Sequence, residues 1–279
     1  MRVGVLGLGR MGAPIARTLA LRWDVAAFDP VVAPEGSAEQ LAAGVDVLVT
    51  VLPGAAEVAA VMPSVLGALR PGSLWLDLTS GDPRVTRSLA RAAKTQEIDV
   101  VGAPMAGGPA AAEANLLRFY VGGAPGAVAR ALPLLHTLGS HELLGDDPGN
   151  GHTAKLLANL LWFGQVIAVT EALLLGRSLG LDPAVLRRTL AASAGGSVFI
   201  DEYLDRLLAG DYAETFGLDR VVEELDTLAS LARQEGVPFE LSELVARLHR
   251  EALARFGAVD GELLAAKLLE ERDGRPLHD

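Results

Sequence analysis

Residues 3–16 read VGVLGLGRMGAPIA. A short apolar run breaks at Gly7, and Gly9 and Gly12 complete a G-x-G-x-x-G spacing that leads into a helix-like segment, Arg10–Leu21. Strand, glycine turn and helix in that order make up the opening of a dinucleotide-binding βαβ unit. The first glycine permits the tight turn, and the second lets backbone approach a pyrophosphate. The third lets helix and strand pack closely, and the helix N-terminus faces the phosphates. Gly7, Leu8, Gly9, Arg10, Met11 and Gly12 are therefore the expected phosphate-binding segment. In a chain with 31 glycines the spacing alone decides little; its place between strand and helix carries the reading.

The next strand-like run ends in AAFDP, which puts Asp29 about twenty residues beyond Gly9, where an acid on the adenosine ribose is expected. A carboxylate there accepts hydrogen bonds from the 2′- and 3′-hydroxyls and repels a 2′-phosphate. No arginine follows it, only Pro30, so NAD is preferred over NADP. As a residue before proline, Asp29 also suits a turn.

Further β-type runs follow: DVLVTVL, SLWLDL, IDVVGAP and LRFYVGG. Helix-like segments such as Ala55–Leu69 and Pro83–Lys94 separate them, which implies a parallel sheet wound on both faces. Beyond about residue 150 the strand signals stop. Lys155–Leu179, Asp182–Ala192, Asp219–Arg233 and Ser242–Arg255 read as helices, and Val221, Leu225, Leu228 and Ala232 keep the spacing of a core-facing stripe. GDDPGNG at 145–151 is the natural break. The expected fold is α/β: a Rossmann-type doubly wound domain over 1–150, then an all-α domain over 151–279 for substrate and dimerisation.

Composition narrows the function. A net charge of -11 argues against nucleic acid, which wants a basic patch. The absence of cysteine excludes disulfides and thiolate chemistry and fits a reducing cytoplasm. No metal-ligand pattern stands out. The opening residues lack a secretory cleavage pattern. Leu156–Leu175 is long enough to span a bilayer, but Asn159, Gln165, Thr170 and Glu171 are costly in hydrocarbon, so a central packed helix is expected and no membrane. So uniform an apolar helix is hard to cover within one small domain, which points to a homodimer or higher homo-oligomer.

Two later segments are more specific. VGAPMAGGPAAAEAN (101–115) resembles the D-A-P-V-S-G-G substrate motif of the β-hydroxyacid dehydrogenases, the group containing 3-hydroxyisobutyrate dehydrogenase. GNGHTAKLLAN (149–159) resembles that family's G-x-G-x-x-x-K-x-x-N-N segment, and order, spacing and two-domain plan agree along the chain. The resemblance implies hydride transfer between NAD and a short 3-hydroxy acid or its semialdehyde, with Lys155 as general acid/base and Asn159 holding it. It places the substrate carboxylate against the turn at Ala106, Gly107 and Gly108, with Phe216 near the active site. Leu52, Pro53 and Ser80 match positions along the nicotinamide half of the cofactor. The residue chemistry agrees. A base that exchanges protons near neutrality must exist as an amine, which arginine does not. Positive first-turn helix ends and apolar neighbours favour the uncharged lysine. Of 24 basic residues only Lys94, Lys155 and Lys267 are lysines. A lysine whose head snorkels to solvent would look the same in sequence.

Three positions depart from the family pattern. Ala106 stands where a serine helps bind the substrate carboxylate, and Ala158 replaces the first asparagine of the pair. In VVEEL (221–225), Glu223 replaces a lysine that contacts the cofactor side of the site, and Glu224 replaces aspartate. These departures leave two alternatives: a catalytically silent NAD-binding protein, or a reductase of a non-acid carbonyl or an imine. Imine reductases share the two-domain plan but normally lack the lysine.

Overall fold

The structure, a computed structural model, describes residues 1–278. It divides into two compact units, Met1–Leu156 and Leu157–Asp279.

In the first unit β1 (Arg2–Leu6), β2 (Asp24–Phe28), β3 (Val47–Thr50), β4 (Leu74–Asp77) and β5 (Asp99–Gly102) pair in parallel in the order β2-β1-β3-β4-β5. Helices α1 (Gly12–Ala20), α2 (Ala38–Ala43), α3 (Ala55–Ala68) and α4 (Pro83–Lys94) connect them. β3 and β4 are buried at every position, as strands covered on both faces must be. One core lies on each face. Val3, Val5, Ile15 and Leu19 belong to one, and Leu48, Met62, Leu66 and Trp75 to the other. This is the doubly wound Rossmann plan. Because the chain steps from β1 to β2 on one side and returns to β3 on the other, the crevice between β1 and β3 is the place where such sheets take their ligands.

The sheet then departs from the parallel expectation. β6 (Met105–Ala106), α5 (Gly108–Ala114) and β7 (Leu117–Gly123) follow, and β7 pairs antiparallel with both β5 and β6. LRFYVGG is a strand as its pattern indicates, but β6 and α5 carry the chain back alongside it, so that β7 runs antiparallel to its neighbours β5 and β6. α6 (Pro125–Leu138) then returns the chain to β8 (Gly139–Leu143), which lies parallel to β7. GSHEL carries no alternating apolar pattern, so β8 could not be read from sequence.

α7 (Gly149–Ser178) starts in the first unit and continues into the second. It is long and apolar enough to cross a membrane by length and composition. In the second unit its Phe163, Val166, Ile167 and Leu173 are core residues. They pack with α10 (Leu218–Glu235), α11 (Glu240–Phe256) and α12 (Leu264–Asp273), while α8 (Pro183–Ala191), a π-helical turn (Phe199–Tyr203) and α9 (Leu204–Leu208) complete the unit. Val221, Leu225, Leu228 and Ala232 are buried, as their spacing demands.

Candidate active site

The glycine turn sits at the carboxyl end of β1. A Cβ on Gly7 would strike the Val51 carbonyl, and one on Gly12 would strike the carbonyl of Gly7. These two glycines let the chain turn against β3 and let α1 start across the turn. Gly9 differs: a side chain there would meet nothing within 4 Å, so its backbone lies open where a pyrophosphate would approach. No side chain caps the start of α1, which leaves its N–H groups to an anion. These features fit a dinucleotide.

Asp29 is already engaged. Its Oδ2 accepts from the Leu8 N–H at 2.8 Å, and Oδ1 accepts from the N–H groups of Val31 at 2.8 Å and Val32 at 3.1 Å. The Leu8 hydrogen bond does most to hold its carboxyl below the usual range, and the Val31 and Val32 bonds add to it. The turn role is therefore real, and it ties β2 to the glycine loop. An ionised carboxylate offers about four lone-pair sites, so three backbone bonds leave room for a ribose hydroxyl.

Leu52 and Pro53 follow β3, and Ser80 follows β4, at the carboxyl ends of neighbouring strands. The Leu52 N–H donates to Thr79 Oγ1 at 3.1 Å, and the Thr79 N–H donates to Asp77 Oδ1 at 3.1 Å. Thr50 Oγ1 donates to the same Asp77 oxygen at 2.8 Å and accepts from Trp75 Nε1 at 2.9 Å. Asp77 and Thr79 lie outside the residues that the sequence marks for the site; the available signal is a carboxylate closing an otherwise apolar strand.

At the other loop, Gly107 (φ 119°) and Gly108 (φ 68°) are both left-handed, a pair of conformations that a residue with a Cβ adopts only under strain. They bring β6 into α5; successive N–H groups in such a turn can hold a carboxylate. Ala106 is opposite Arg118 on β7.

The start of α7 is fastened within the first unit. Asp147 Oδ1 accepts from the Gly149 N–H at 2.7 Å, and Arg87 Nε of α4 donates to Asp147 Oδ2 at 2.8 Å. A Cβ on Gly151 would collide with the Tyr120 carbonyl, and one on Gly102 with the Pro148 carbonyl. Glycines here let the helix lie directly on β5 and β7. Lys155 follows one turn after Gly151 and is partly buried.

Asn159 comes one turn after Lys155, in the second unit. Its Nδ2 donates to Glu224 Oε2 at 2.6 Å, and Glu224 is only 6% exposed. Glu223, next along α10, accepts from Arg220 Nη1 at 2.9 Å, so its charge is countered one turn away. Phe216 packs against the second unit's core just before α10. Sequence reading had not paired Glu224 with Asn159. Among the described residues no cluster of three or more His, Cys, Asp or Glu side chains could hold a metal ion.

The sequence matches two family models end to end. Residues 2–145 match the NAD binding domain of 6-phosphogluconate dehydrogenase, and residues 149–269 match the NAD-binding model of NADP-dependent 3-hydroxyisobutyrate dehydrogenase. The 2-(hydroxymethyl)glutarate dehydrogenase of Eubacterium barkeri is 30% identical over 89% of this chain and 88% of its own. Human mitochondrial 3-hydroxyisobutyrate dehydrogenase is 30% identical over 91% of this chain and 82% of its own. The solved structure of Mycobacterium tuberculosis 3-hydroxyisobutyrate dehydrogenase with L-serine superposes with a TM-score of 0.86 at 25% identity, covering 96% of this chain and 98% of that one. The chain belongs to the β-hydroxyacid dehydrogenase family, the NAD-binding oxidoreductases that include 3-hydroxyisobutyrate dehydrogenase.

Proposed function

We propose that the protein oxidises a short 3-hydroxy acid, or reduces the corresponding semialdehyde, with Lys155 as general acid/base. The observation that carries this reading is a lysine one helical turn before an asparagine whose amide is held by a buried carboxylate, on a helix bound to the nucleotide-binding sheet. When bound, NAD supplies the hydride acceptor. Lys155 as a neutral amine takes the substrate hydroxyl proton in oxidation, and as an ammonium it returns the proton in reduction. Asn159, fixed by Glu224, limits where the amine can sit. Gly107 and Gly108 offer N–H groups to the substrate carboxylate, and Ala106 offers a methyl group where a hydroxyl would add a further contact.

NAD is the preferred cofactor in this reading, because Asp29 follows β2 and the residues after it, Pro30 to Ala33, carry no cation to receive a 2′-phosphate. The setting we infer is a cytoplasmic homo-oligomer. Its support is the set of exposed leucines on α7 of the second unit, Leu157, Leu161 and Leu175, with exposed Leu179 just after its end. A monomer in light scattering at micromolar concentration would remove the oligomer.

The deciding experiment follows NADH absorbance with 3-hydroxyisobutyrate, glycerate and serine, for wild type and Lys155→Ala, with NAD and then NADP. Turnover that is lost in the variant supports the reading. Tight NADH binding without turnover on any acid refutes it in favour of a silent binder or a non-acid substrate.

A further inference from the structure

The buried network at the end of β4 includes a side chain the proposed chemistry does not use. His152 lies in the opening turns of α7, three positions before Lys155, and only 1% of it is exposed. Neither of its ring nitrogens has a hydrogen-bond partner. Gly102 of β5 gives it space, since a Cβ there would lie 2.8 Å from Nε2. Asp77 lies beside it, with Nε2 to Oδ2 at 3.6 Å, beyond hydrogen-bond length. A buried imidazole without partners is costly, so its retention here calls for a cause.

Asp77 is the junction of two loops. Its Oδ1 holds the Thr50 hydroxyl and the Thr79 N–H, and Thr79 Oγ1 in turn holds the Leu52 N–H. A displacement of this carboxylate therefore moves the segments after β3 and β4 together. Asp77 faces His152 from β4, and Asp82 and Arg87 act on it from the start and interior of α4. Ala55 and Val58 of α3 and Gly102 of β5 bring no charge. Burial is the largest influence and disfavours the imidazolium, Asp77 favours it, Arg87 disfavours it, and Asp82 favours it.

We propose that His152 is a positioning residue that acts through Asp77 on the Thr79–Ser80 loop. While its ring is uncharged, Asp77 keeps its bonds to Thr50 and Thr79. When the ring takes a proton, closing the 3.6 Å gap to a charge-assisted hydrogen bond needs a movement of under about 1 Å, and the carboxylate is drawn away from the Thr79 N–H. The effect on cofactor binding rests on the reading that Ser80 lines the nicotinamide half of the site.

The test uses the full-length protein between pH 8 and pH 5. NMR follows the His152 ring and the Thr79 amide, and quenching of tryptophan fluorescence gives the NAD dissociation constant for wild type, H152Q and H152N. The Thr79 amide is expected to track the His152 titration. The NAD dissociation constant is expected to rise only at the acid end of the range in wild type, because burial disfavours the imidazolium, and to stay flat in H152Q. A ring that takes no proton above pH 5, an amide that ignores the ring, or an H152Q protein with the wild-type pH dependence each overturns the coupling. An amide that follows the ring while NAD affinity stays flat overturns instead the placement of the loop against the cofactor. If H152Q fails to fold, H152N and the wild-type amide decide the matter.

Discussion

The side-chain amide of Asn159 and the carboxylate of Glu224 meet at 2.6 Å, and Glu224 is almost wholly buried. A charged group so placed costs free energy unless it is hydrogen-bonded, and truncating one member strands the other. Glu224→Ala is expected to lower stability by about 1–3 kcal/mol in urea denaturation. In the proposed reading Asn159 positions Lys155, so Glu224→Ala is also expected to lower kcat about tenfold or more through misplacement. Glu224→Gln keeps a hydrogen-bonding group and is expected to recover most of both losses. Unchanged kinetics in Glu224→Ala would show that the pair serves the core alone.

Lys155 has a sharper expectation. Lys155→Ala is expected to reduce turnover about a thousandfold, the usual range for a lost general acid/base, and to leave NADH binding within about twofold. Lys155→Arg is expected to fail almost as badly, since its guanidinium does not give up a proton near neutrality. An active arginine variant would mean that charge, and not proton transfer, is what the position supplies.

Asp29 holds its turn and, in the proposed reading, also selects the cofactor, and mutation separates the two. Asp29→Asn keeps an acceptor for the Leu8 N–H and removes the charge that opposes a 2′-phosphate. The ratio of NAD to NADP efficiency is expected to fall about tenfold in this variant, worth about 1.4 kcal/mol. Steady-state kinetics with both cofactors measure it, and an unchanged ratio would confine Asp29 to its turn.

Some of these relationships were legible in the sequence and others were not. Gly7, Gly9 and Gly12 were legible because backbone geometry admits nothing larger at two of them, and a fixed local spacing records that demand. Lys155 stood out as a cation in an apolar helix. β7 is legible as a strand, but its antiparallel direction is not, since periodicity carries no information about pairing partners. Glu224 was visible as a residue, but its partner lies 65 positions away, and nothing local marks such a pair. Asp29 was read for its ligand, while the structure adds three backbone donors that only the folded loop brings to it. Gly151 belonged to a recognised motif, yet its reason, contact with the Tyr120 carbonyl, required the sheet to be in place.

That contact gives a fourth expectation. In Gly151→Ala the new methyl group would overlap the Tyr120 carbonyl and lie 2.8 Å from the Gly102 carbonyl, and both oxygens belong to strand backbone in β7 and β5. α7 must lift from β5 and β7, at a cost of about 3 kcal/mol or more. Thermal unfolding would register the loss, and a variant as stable as wild type would show that the helix packs less closely than the glycines indicate.

His249 supplies a pH dependence of stability. It is fully buried on α11, its Nδ1 lies 2.9 Å from the Val245 carbonyl, Nε2 has no partner, and its ring packs at 5.5 Å from that of Phe163. Burial pushes its pKa down to about 4 from an ordinary 6.5, against a smaller opposing effect of the Val245 hydrogen bond. The unfolded chain therefore binds this proton first as pH falls, so its contribution is complete above pH 6.5 and is lost progressively between 6.5 and about 4. At pH 5 the loss is about 2 kcal/mol relative to pH 7.5. His249→Phe removes the titrating group while keeping an aromatic ring against Phe163. The difference in urea stability between pH 7.5 and pH 5 is expected to be smaller in the variant by about that amount, whatever the substitution does to stability at neutral pH. Parallel acid sensitivity in both proteins would exclude His249 as a source, and would direct attention to the other buried imidazole, His152.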